Sequence, residues 1–476
     1  MAPHALDRHL VLVGFMGAGK TTLGTSVALR LGRPFVDTDA AIESRGTSIP
    51  DLFEQEGEAA FREREASELR RVLDRAERAV IAVGGGAVET GEVRELLRDA
   101  FVVWLDIDPG LAWSRVEGSG RPNARDEASF HALWEARQPF YDEVADAVAH
   151  DVDGIVLAAA GVHVELGALQ LLDQLVPGEG PVELVADVHV AGIHGVDAQL
   201  ALGDRLAAVH ELPAGEAAKA AGCLDRLWES LRLGRDGTIV GLGGGATTDV
   251  AGLAAATYMR GVAWAPVPTT LVGQVDAAIG GKTAIDVPGG KNLVGAFHWP
   301  TRVVIDPALL ETLPEQERRN GLAEVVKTGL LMGDRVWERP EHDRVRRCAA
   351  FKAGVCLRDP RDRGERAQLN LGHTFAHALE AAAGYALPHG EAVALGLLAA
   401  LRLSGLPDEA ARVEEVLAPV RPRVDRDVAW AALGRDKKAA GGRPRLVLLD
   451  APGRPRIGFE LPDAEVRAAL DSLIAG

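Results

Sequence analysis

An apolar run, Leu10-Val-Leu-Val13, leads directly into Gly14-Phe-Met-Gly17-Ala18-Gly19-Lys20-Thr21-Thr22, and a helix-forming segment follows from Leu23 to Leu31. Few folds accept this order. The run is short and uncharged, as a buried parallel strand is. The glycines let backbone N–H groups wrap an anion, and the helix after them turns its positive end toward the same point. Gly17, Ala18, Gly19, Lys20, Thr21 and Thr22 are therefore candidate contacts to nucleotide phosphate, with Lys20 on the β/γ oxygens and the Thr21 hydroxyl on Mg2+. A glycine-rich packing turn is the plain alternative, and the strand, loop, Lys-Thr and helix in sequence argue against it.

The acceptor side follows. Phe35-Val-Asp37-Thr-Asp39 reads as the end of a second strand whose two carboxylates share a face, because alternate strand residues do. Arg62 sits in a helical segment and suits bidentate capture of a carboxylate. A third strand, Val80 to Val83, opens into Gly84-Gly85-Gly86, where a ligand can approach the backbone. Arg121, in Gly-Ser-Gly-Arg-Pro, reads as a cation on a loop tip, and Arg137-Gln-Pro-Phe-Tyr141 adds another.

Residues 8 to 145 resemble shikimate kinase through Gly-Phe-Met-Gly-Ala-Gly-Lys-Thr-Thr, Asp-Thr-Asp, Gly-Glu-x-x-Phe-Arg, Gly-Gly-Gly, the lid Arg121 and Arg-x-Pro-x-Tyr. The resemblance implies that Asp39, Arg62, Gly85 and Arg137 hold shikimate, that Asp37 and Thr21 serve Mg2+, and that Lys20 and Arg121 serve ATP. The lid departs from the family, which places two leucines where Asn123-Ala124 stands.

Composition bounds the rest. A chain of 476 residues needs more than one core. A formal charge of -17 disfavours nucleic acid and anionic membrane as partners, so phosphate must be handled by local sites. Three scattered cysteines, Cys223, Cys348 and Cys356, argue for a reducing cytosol and against a disulfide framework. No signal peptide or apolar run of roughly 20 residues is evident, and a cytoplasmic location is expected.

A boundary is expected near residue 150. Beyond about 155 the pattern is α/β and then mainly helical. Pro181 to Asp187 is strand-like with an acidic end, and Leu212 to Lys219 is a turn into a helix. Thr238 to Leu242 feeds Gly243-Gly244-Gly245-Ala-Thr-Thr-Asp249, a turn suited to a dinucleotide pyrophosphate, although not the G-x-G-x-x-G fingerprint. Pro268 to Lys282 and Gly289 to His298 set Asp276, Lys282, Lys291 and Asn292 among small residues. With Arg260, Lys352 and Arg366 they form a local anion trap in an acidic chain. Glu324 and Lys327 share a helix face. His373 and His377 stand at i and i+4, and His389 follows a Pro turn. Two imidazoles and a carboxylate make an open set for a catalytic divalent ion. Spacing leaves open whether His373 or His377 belongs to it.

These features together resemble 3-dehydroquinate synthase over about 155 to 476, in Gly-Gly-Gly-x-x-x-Asp, Tyr258-Met-Arg260-Gly, Gly-Gly-Lys-Thr, Lys-Asn-x-x-Gly-Ala-Phe, Leu-Ala-Glu-Val-Val-Lys, Leu-Asn-Leu-Gly-His-Thr-Phe-x-His, His-Gly-Glu and Asp436-Lys437-Lys438. Trp299 stands where that family customarily has Gln, and the stretch from Leu330 to Arg347 looks short. The resemblance implies zinc, with cobalt as the alternative ion, on Glu324, His373 and His389. It implies NAD+ along Asp187, Glu216, Lys219, Gly244, Gly245, Asp249, Thr269, Thr270, Leu309 and Thr312, with Lys282 and Lys291 beside it. Arg260, Asp276, Lys282, Lys291, Asn292, Lys327, Lys352, Arg366, Asn370 and His377 would surround the substrate, and Asp276, Lys282, Lys291, Asn292, Lys327 and His377 are its catalytic candidates, as Lys20 is of the kinase.

The expectation is an α/β protein in three parts: a P-loop kinase with a parallel sheet over 1–150, a Rossmann-like NAD-binding half over 155–320, and a mainly α-helical metal- and substrate-binding half over 321–476. It would phosphorylate shikimate with ATP and Mg2+, and cyclise 3-deoxy-D-arabino-heptulosonate 7-phosphate to 3-dehydroquinate with release of phosphate. By family likeness it would be a homodimer through the larger unit. A metal-dependent polyol dehydrogenase is the nearest rival, but it gives no reason for so many lysines. A regulatory protein with one dead site is a rival of another class.

Overall fold

The computed structural model describes residues 4–118, 126–439 and 444–475. Arg121 and the Asn123-Ala124 pair fall outside these residues, as do the side chains of Asp436, Lys437 and Lys438. The chain forms two compact units that divide between Gly161 and Val162. The division comes after residue 150 because the helix Val152–Ala159 belongs to the first unit, where Ala5 donates its N–H to the Ala159 carbonyl at 2.7 Å and Arg30 pairs with Asp153.

The first unit is built on five parallel strands: β1 Leu10–Val13, β2 Phe35–Asp37, β3 Val80–Ala82, β4 Phe101–Leu105 and β5 Ala147–Ala149, in the order β2-β3-β1-β4-β5. Every residue of β1 is buried, which explains its uninterrupted apolar run. The helix Lys20–Leu31 starts directly after the glycine loop. Gly17 has φ 83°, and a Cβ there would lie 2.8 Å from the Ala112 carbonyl oxygen, so this turn requires glycine.

The expected pairing of Asp37 and Asp39 on one strand face does not occur. β2 ends at Asp37, whose side chain caps the helix Thr38–Glu43 by accepting from the N–H groups of Asp39 and Ala40. Asp39 is thus helical and points elsewhere. The local capping preference of an Asp at a strand end overrides the period of two.

In the second unit, β6 Val162–Val164 pairs with β13 Val303–Ile305. Between them lie β7 Val182–Asp187, β8 Leu206–Leu212, β9 Thr238–Gly243 and β10 Ala263–Pro268, a parallel sheet in the order β10-β9-β7-β8. The hairpin β11 Lys282–Val287 and β12 Gly290–Phe297 follows. The rest is mainly helical, with helices Glu315–Met332, Glu341–Arg358, His373–Ala382 and His389–Leu403 among them. The stretch from Leu330 to Arg347 holds the end of one of these, a single turn Val336–Glu338, and the start of the next. Helices His373–Ala382 and His389–Leu403 approach backbone to backbone: a Cβ on Gly396 would lie 2.1 Å from the Gly372 carbonyl oxygen. No helix among the described residues is long and apolar enough to cross a membrane.

Candidate active sites

In the first unit, Thr21 donates its hydroxyl to Asp37 Oδ2 at 2.7 Å, which joins the two residues expected to serve Mg2+. Lys20 Nζ donates to the carbonyls of Gly14 at 2.7 Å and Phe15 at 3.2 Å, and so spans the glycine loop. Arg115 holds the far side of this loop through the Gly17 carbonyl, at 2.9 Å.

The acceptor residues converge on Gly84-Gly85-Gly86. A Cβ on Gly84 would strike Glu65 Oε1 and lie 2.9 Å from Asp39 Oδ1, while one on Gly86 would lie 2.5 Å from Arg62 Nη2 and 2.8 Å from Arg137 Nη2. Tyr141 donates its buried hydroxyl to the Gly85 carbonyl at 2.6 Å and fixes that backbone. Arg137 is buried and Arg62 half-buried. Arg62 reaches Glu65 at 2.9 Å and Glu58 at 3.2 Å, and Glu89 Oε2 lies 2.9 Å from Arg137 and 3.4 Å from Arg62. Burial pushes the Glu65 carboxyl up to about 7 against the pull of Arg62.

In the second unit the helices bring Glu324, His373 and His389 together, with one ligand atom from each lying within 4.8 Å of the others. Glu324 Oε1 is 3.4 Å from His373 Nε2 and 3.3 Å from His389 Nε2. His377 lies outside this set, its ring centroid 5.5 Å from that of His373. Of the two histidines that the i, i+4 spacing left open, His373 opens its helix beside Glu324, and His377 is one turn farther on. Glu380 Oε1 accepts from His389 Nδ1 at 3.1 Å and turns the other ring nitrogen inward. Burial alone would push Glu324 up, but Lys327, in direct contact, with His373 and His389 holds it well below the usual carboxylate range. Burial opposes charge on His389, and Glu324 and Glu380 overcome it, so that its pKa rises to about 10. The buried carboxylate thus draws positive charge to itself. The donor set of two nitrogens and one oxygen, with a second residue orienting one ring, fits a zinc-type ion.

Lys327 links this set to a neighbouring cavity, since its Nζ lies 3.8 Å from Asp276 Oδ1. Lys352 Nζ is 2.7 Å from the same oxygen and donates to the Asp276 carbonyl at 2.6 Å. The cavity holds about 560 Å³ and is lined by Asp249, Asp276, Lys282, Asn292, Lys352 and Arg366, among others. Arg366 is buried and donates to the Gly280 carbonyl at 2.9 Å, while Lys282 extends to Asp362. Asp276 rides on a π-helical turn, Gly273–Ala277.

The dinucleotide candidates follow the C-terminal ends of several strands: Asp187 ends β7, Glu216 and Lys219 come after β8, Gly244, Gly245 and Asp249 after β9, Thr269 and Thr270 after β10, and Leu309 and Thr312 after β13. Gly244 caps the helix Gly245–Thr257, and Cβ atoms on these glycines would come 3.1 Å from Thr270 Cγ2 and 3.2 Å from Ala277 Cβ. Lys219 pairs with Asp249 at 2.6 Å and touches Asn292, and Lys291 lies 3.5 Å from Glu216. Burial pushes Asp249 up to about 6, against the charge of Lys219. Thr269 is bonded through its N–H to the Gly243 carbonyl at 3.0 Å, and Thr312 meets His194 at 2.9 Å. Asp187 is engaged by backbone, accepting from His189 at 2.8 Å and Gly215 at 3.0 Å, and the Leu309 side chain belongs to the core. Arg260 is not brought to the cavity: it is exposed, at φ 69°. Asn370 is exposed at the end of the turn Glu365–Asn370.

Three family models match along the chain: shikimate kinase over 16–159, 3-dehydroquinate synthase N-terminal over 209–320 and 3-dehydroquinate synthase C-terminal over 321–439. The bifunctional shikimate kinase/3-dehydroquinate synthase of Thermotoga maritima is 34% identical over 484 aligned residues, covering 94% of this chain and 96% of that protein. The chain belongs to the bifunctional shikimate kinase/3-dehydroquinate synthase family. It carries both activities and serves the shikimate pathway. The 3-dehydroquinate synthase of Bordetella pertussis is 41% identical over 348 residues, 65% of this chain and 95% of its own. A crystal structure of 2-epi-5-epi-valiolone synthase from Streptomyces hygroscopicus, with NAD+ and Zn2+ bound, matches with a TM-score of 0.58 at 26% identity, covering 66% of this chain and 96% of that one. A 2-deoxy-scyllo-inosose synthase, at 24% identity and a TM-score of 0.59, shares the fold over 65% of this chain and 96% of its own.

Sequence reasoning missed several residues of this bifunctional enzyme. Glu65 lies three residues after Arg62, a helical neighbour that the spacing could have flagged. Glu380 lies seven after His373, on the same helix face. Glu89 and Asp362 carry no local signal, since each meets its partner through the tertiary fold.

Proposed function

We propose that the two sites work through separate residue sets. In the kinase, Lys20 and the backbone of Gly17, Ala18 and Gly19 bind ATP phosphate with Thr22 and Arg121, Thr21 and Asp37 hold Mg2+, and Asp39, Arg62, Gly85 and Arg137 orient shikimate. Asp39, beside the glycine strip, receives a ring hydroxyl, and the arginines receive the carboxylate.

In the synthase, Glu324, His373 and His389 hold zinc or cobalt, and Asp187, Glu216, Lys219, Gly244, Gly245, Asp249, Thr269, Thr270, Leu309 and Thr312 line NAD+. When bound, the metal and the dinucleotide supply polarisation of a secondary alcohol and a reversible acceptor for its hydride. Lys282, Lys291, Asn292, Lys352, Arg366 and Asn370 orient the phosphate and carboxylate of 3-deoxy-D-arabino-heptulosonate 7-phosphate. Asp276, Lys327 and His377 surround the ring and its mobile protons. Arg260, exposed within its own chain, joins that set by family likeness. A homodimer through the larger unit and a cytoplasmic location complete the reading, supported by the acidic charge and the three free buried cysteines.

The observation that carries the synthase assignment is the convergence of buried Glu324 with two imidazoles at 3.3 and 3.4 Å, one lysine away from a cation-lined cavity. One preparation assayed for phosphate release and for shikimate-dependent ADP release, with and without chelator, tests it. The chelator is expected to stop phosphate release, and zinc to restore it. Full phosphate release by a metal-free His373→Ala protein would end the assignment.

A further inference from the structure

In the proposed kinase function Arg62 and Arg137 receive the shikimate carboxylate, and the role inferred for Glu89 rests on that reading. The structure has a carboxylate of the chain itself between the two arginines. Glu89 Oε2 accepts from Arg137 Nη2 at 2.9 Å and lies 3.4 Å from Arg62 Nη2. One oxygen thus engages both guanidiniums. We propose that Glu89 is an internal competitor for the substrate: its carboxylate fills the anion position between Arg62 and Arg137 and must turn out before that of shikimate turns in.

A buried guanidinium demands a counter-charge, and among the described residues Arg137 finds one in Glu89. Arg62 has two further carboxylates, Glu58 and Glu65, close at hand. Adding a substrate anion with Glu89 in place would crowd four carboxylates onto two cations. The same three groups press on Gly86, where a Cβ would lie 2.5 Å from Arg62 Nη2, 2.8 Å from Arg137 Nη2 and 2.9 Å from Glu89 Oε2.

The backbone of Glu89 is fixed while its side chain has somewhere to go. Arg94 donates to the carbonyls of Val88 at 2.7 Å and Glu89 at 3.1 Å, and the Glu89 N–H bonds to the Gly86 carbonyl at 3.1 Å. The side chain is 34% exposed, so rotation about its own bonds carries the carboxylate into water. A neutral polyol has nothing to exchange for Glu89, whereas a ring acid repays the displaced ion pair in kind. The residue therefore works as a filter for carboxylated ligands at the expense of affinity.

Steady-state kinetics and calorimetric shikimate binding on the intact chain test this with Glu89→Gln and Glu89→Ala. Both the shikimate KM and the Kd are expected to fall by about three- to tenfold, the range for a partly solvated ion pair exchanged for another, with the gain in KM rather than in kcat. Unchanged or higher values in both variants overturn the proposal and make Glu89 a support for the arginines. Arg137→Lys, assayed in parallel, separates the two levels. If it leaves KM unaltered, the carboxylate reading itself fails. If it raises KM while the Glu89 variants do nothing, the competitor alone is refuted.

Discussion

Glu380 Oε1 lies 3.1 Å from His389 Nδ1, on the side of the ring opposite the nitrogen that faces Glu324. This contact selects the tautomer and the ring orientation that present Nε2 to the centre. Glu380→Gln is expected to weaken metal binding by about ten- to a hundredfold, as loss of such an outer partner does. Competition with a calibrated chelator measures it directly. Excess zinc should restore phosphate release, and shikimate phosphorylation should be untouched.

Lys327 touches Glu324 and stands 3.8 Å from Asp276; Lys327 and Glu324 are buried and Asp276 is half-buried. Lys327→Met takes the lysine away from buried Glu324, while Asp276 keeps Lys352 at 2.7 Å. In metal-free protein the larger unit should lose about 3–5 kcal/mol, the cost of removing one partner of a buried pair. Denaturant unfolding of the larger unit reads the loss. A midpoint equal to wild type would show that water reaches the site and screens the charges.

Glu65 provides a pH signature for the smaller unit. Its pKa rises from an ordinary 4.5 to about 7 in the fold, chiefly through burial. Between those values the folded state holds a proton that the unfolded chain has released. Stability from this group is therefore full below about 4.5 and declines as pH rises toward 7, by at most about 1.4 kcal/mol per pH unit. Glu65→Gln should flatten that slope relative to wild type. Urea midpoints followed through loss of kinase activity between pH 5 and 8 provide the comparison, and parallel slopes would contradict the assignment.

Lys20→Ala should abolish ADP formation with shikimate and leave phosphate release from the heptulosonate substrate intact. Loss of both activities in a folded variant would mean that the two units do not act independently.

The residues legible in sequence were those whose partners lie close along the chain. The strand at Leu10–Val13, the glycine loop and the helix at Lys20 form one contiguous signal, and their order survives in the structure. Glu324 and Lys327 likewise meet across one helical turn. Asp39 was misplaced because Asp37 ends its strand by capping the next helix, a local competition that alternation ignores. Which of His373 and His377 faces Glu324 depends on how two helices cross, and no spacing within one helix records that. Glu89 stayed hidden for the same reason: its partner Arg137 lies 48 positions away.

The close packing of Gly396 against the Gly372 carbonyl gives the proposed metal centre a vulnerability at residues that donate no ligand atom. Hydrogen is the largest substituent this crossing tolerates, so the distance between the two imidazoles is dictated by what position 396 lacks. Gly396→Ala would keep all donor atoms intact and still wedge their scaffolds asunder, and metal content after dialysis would register it. Genetic drift could silence the cyclase here while a comparison of ligand residues alone pronounced the enzyme sound.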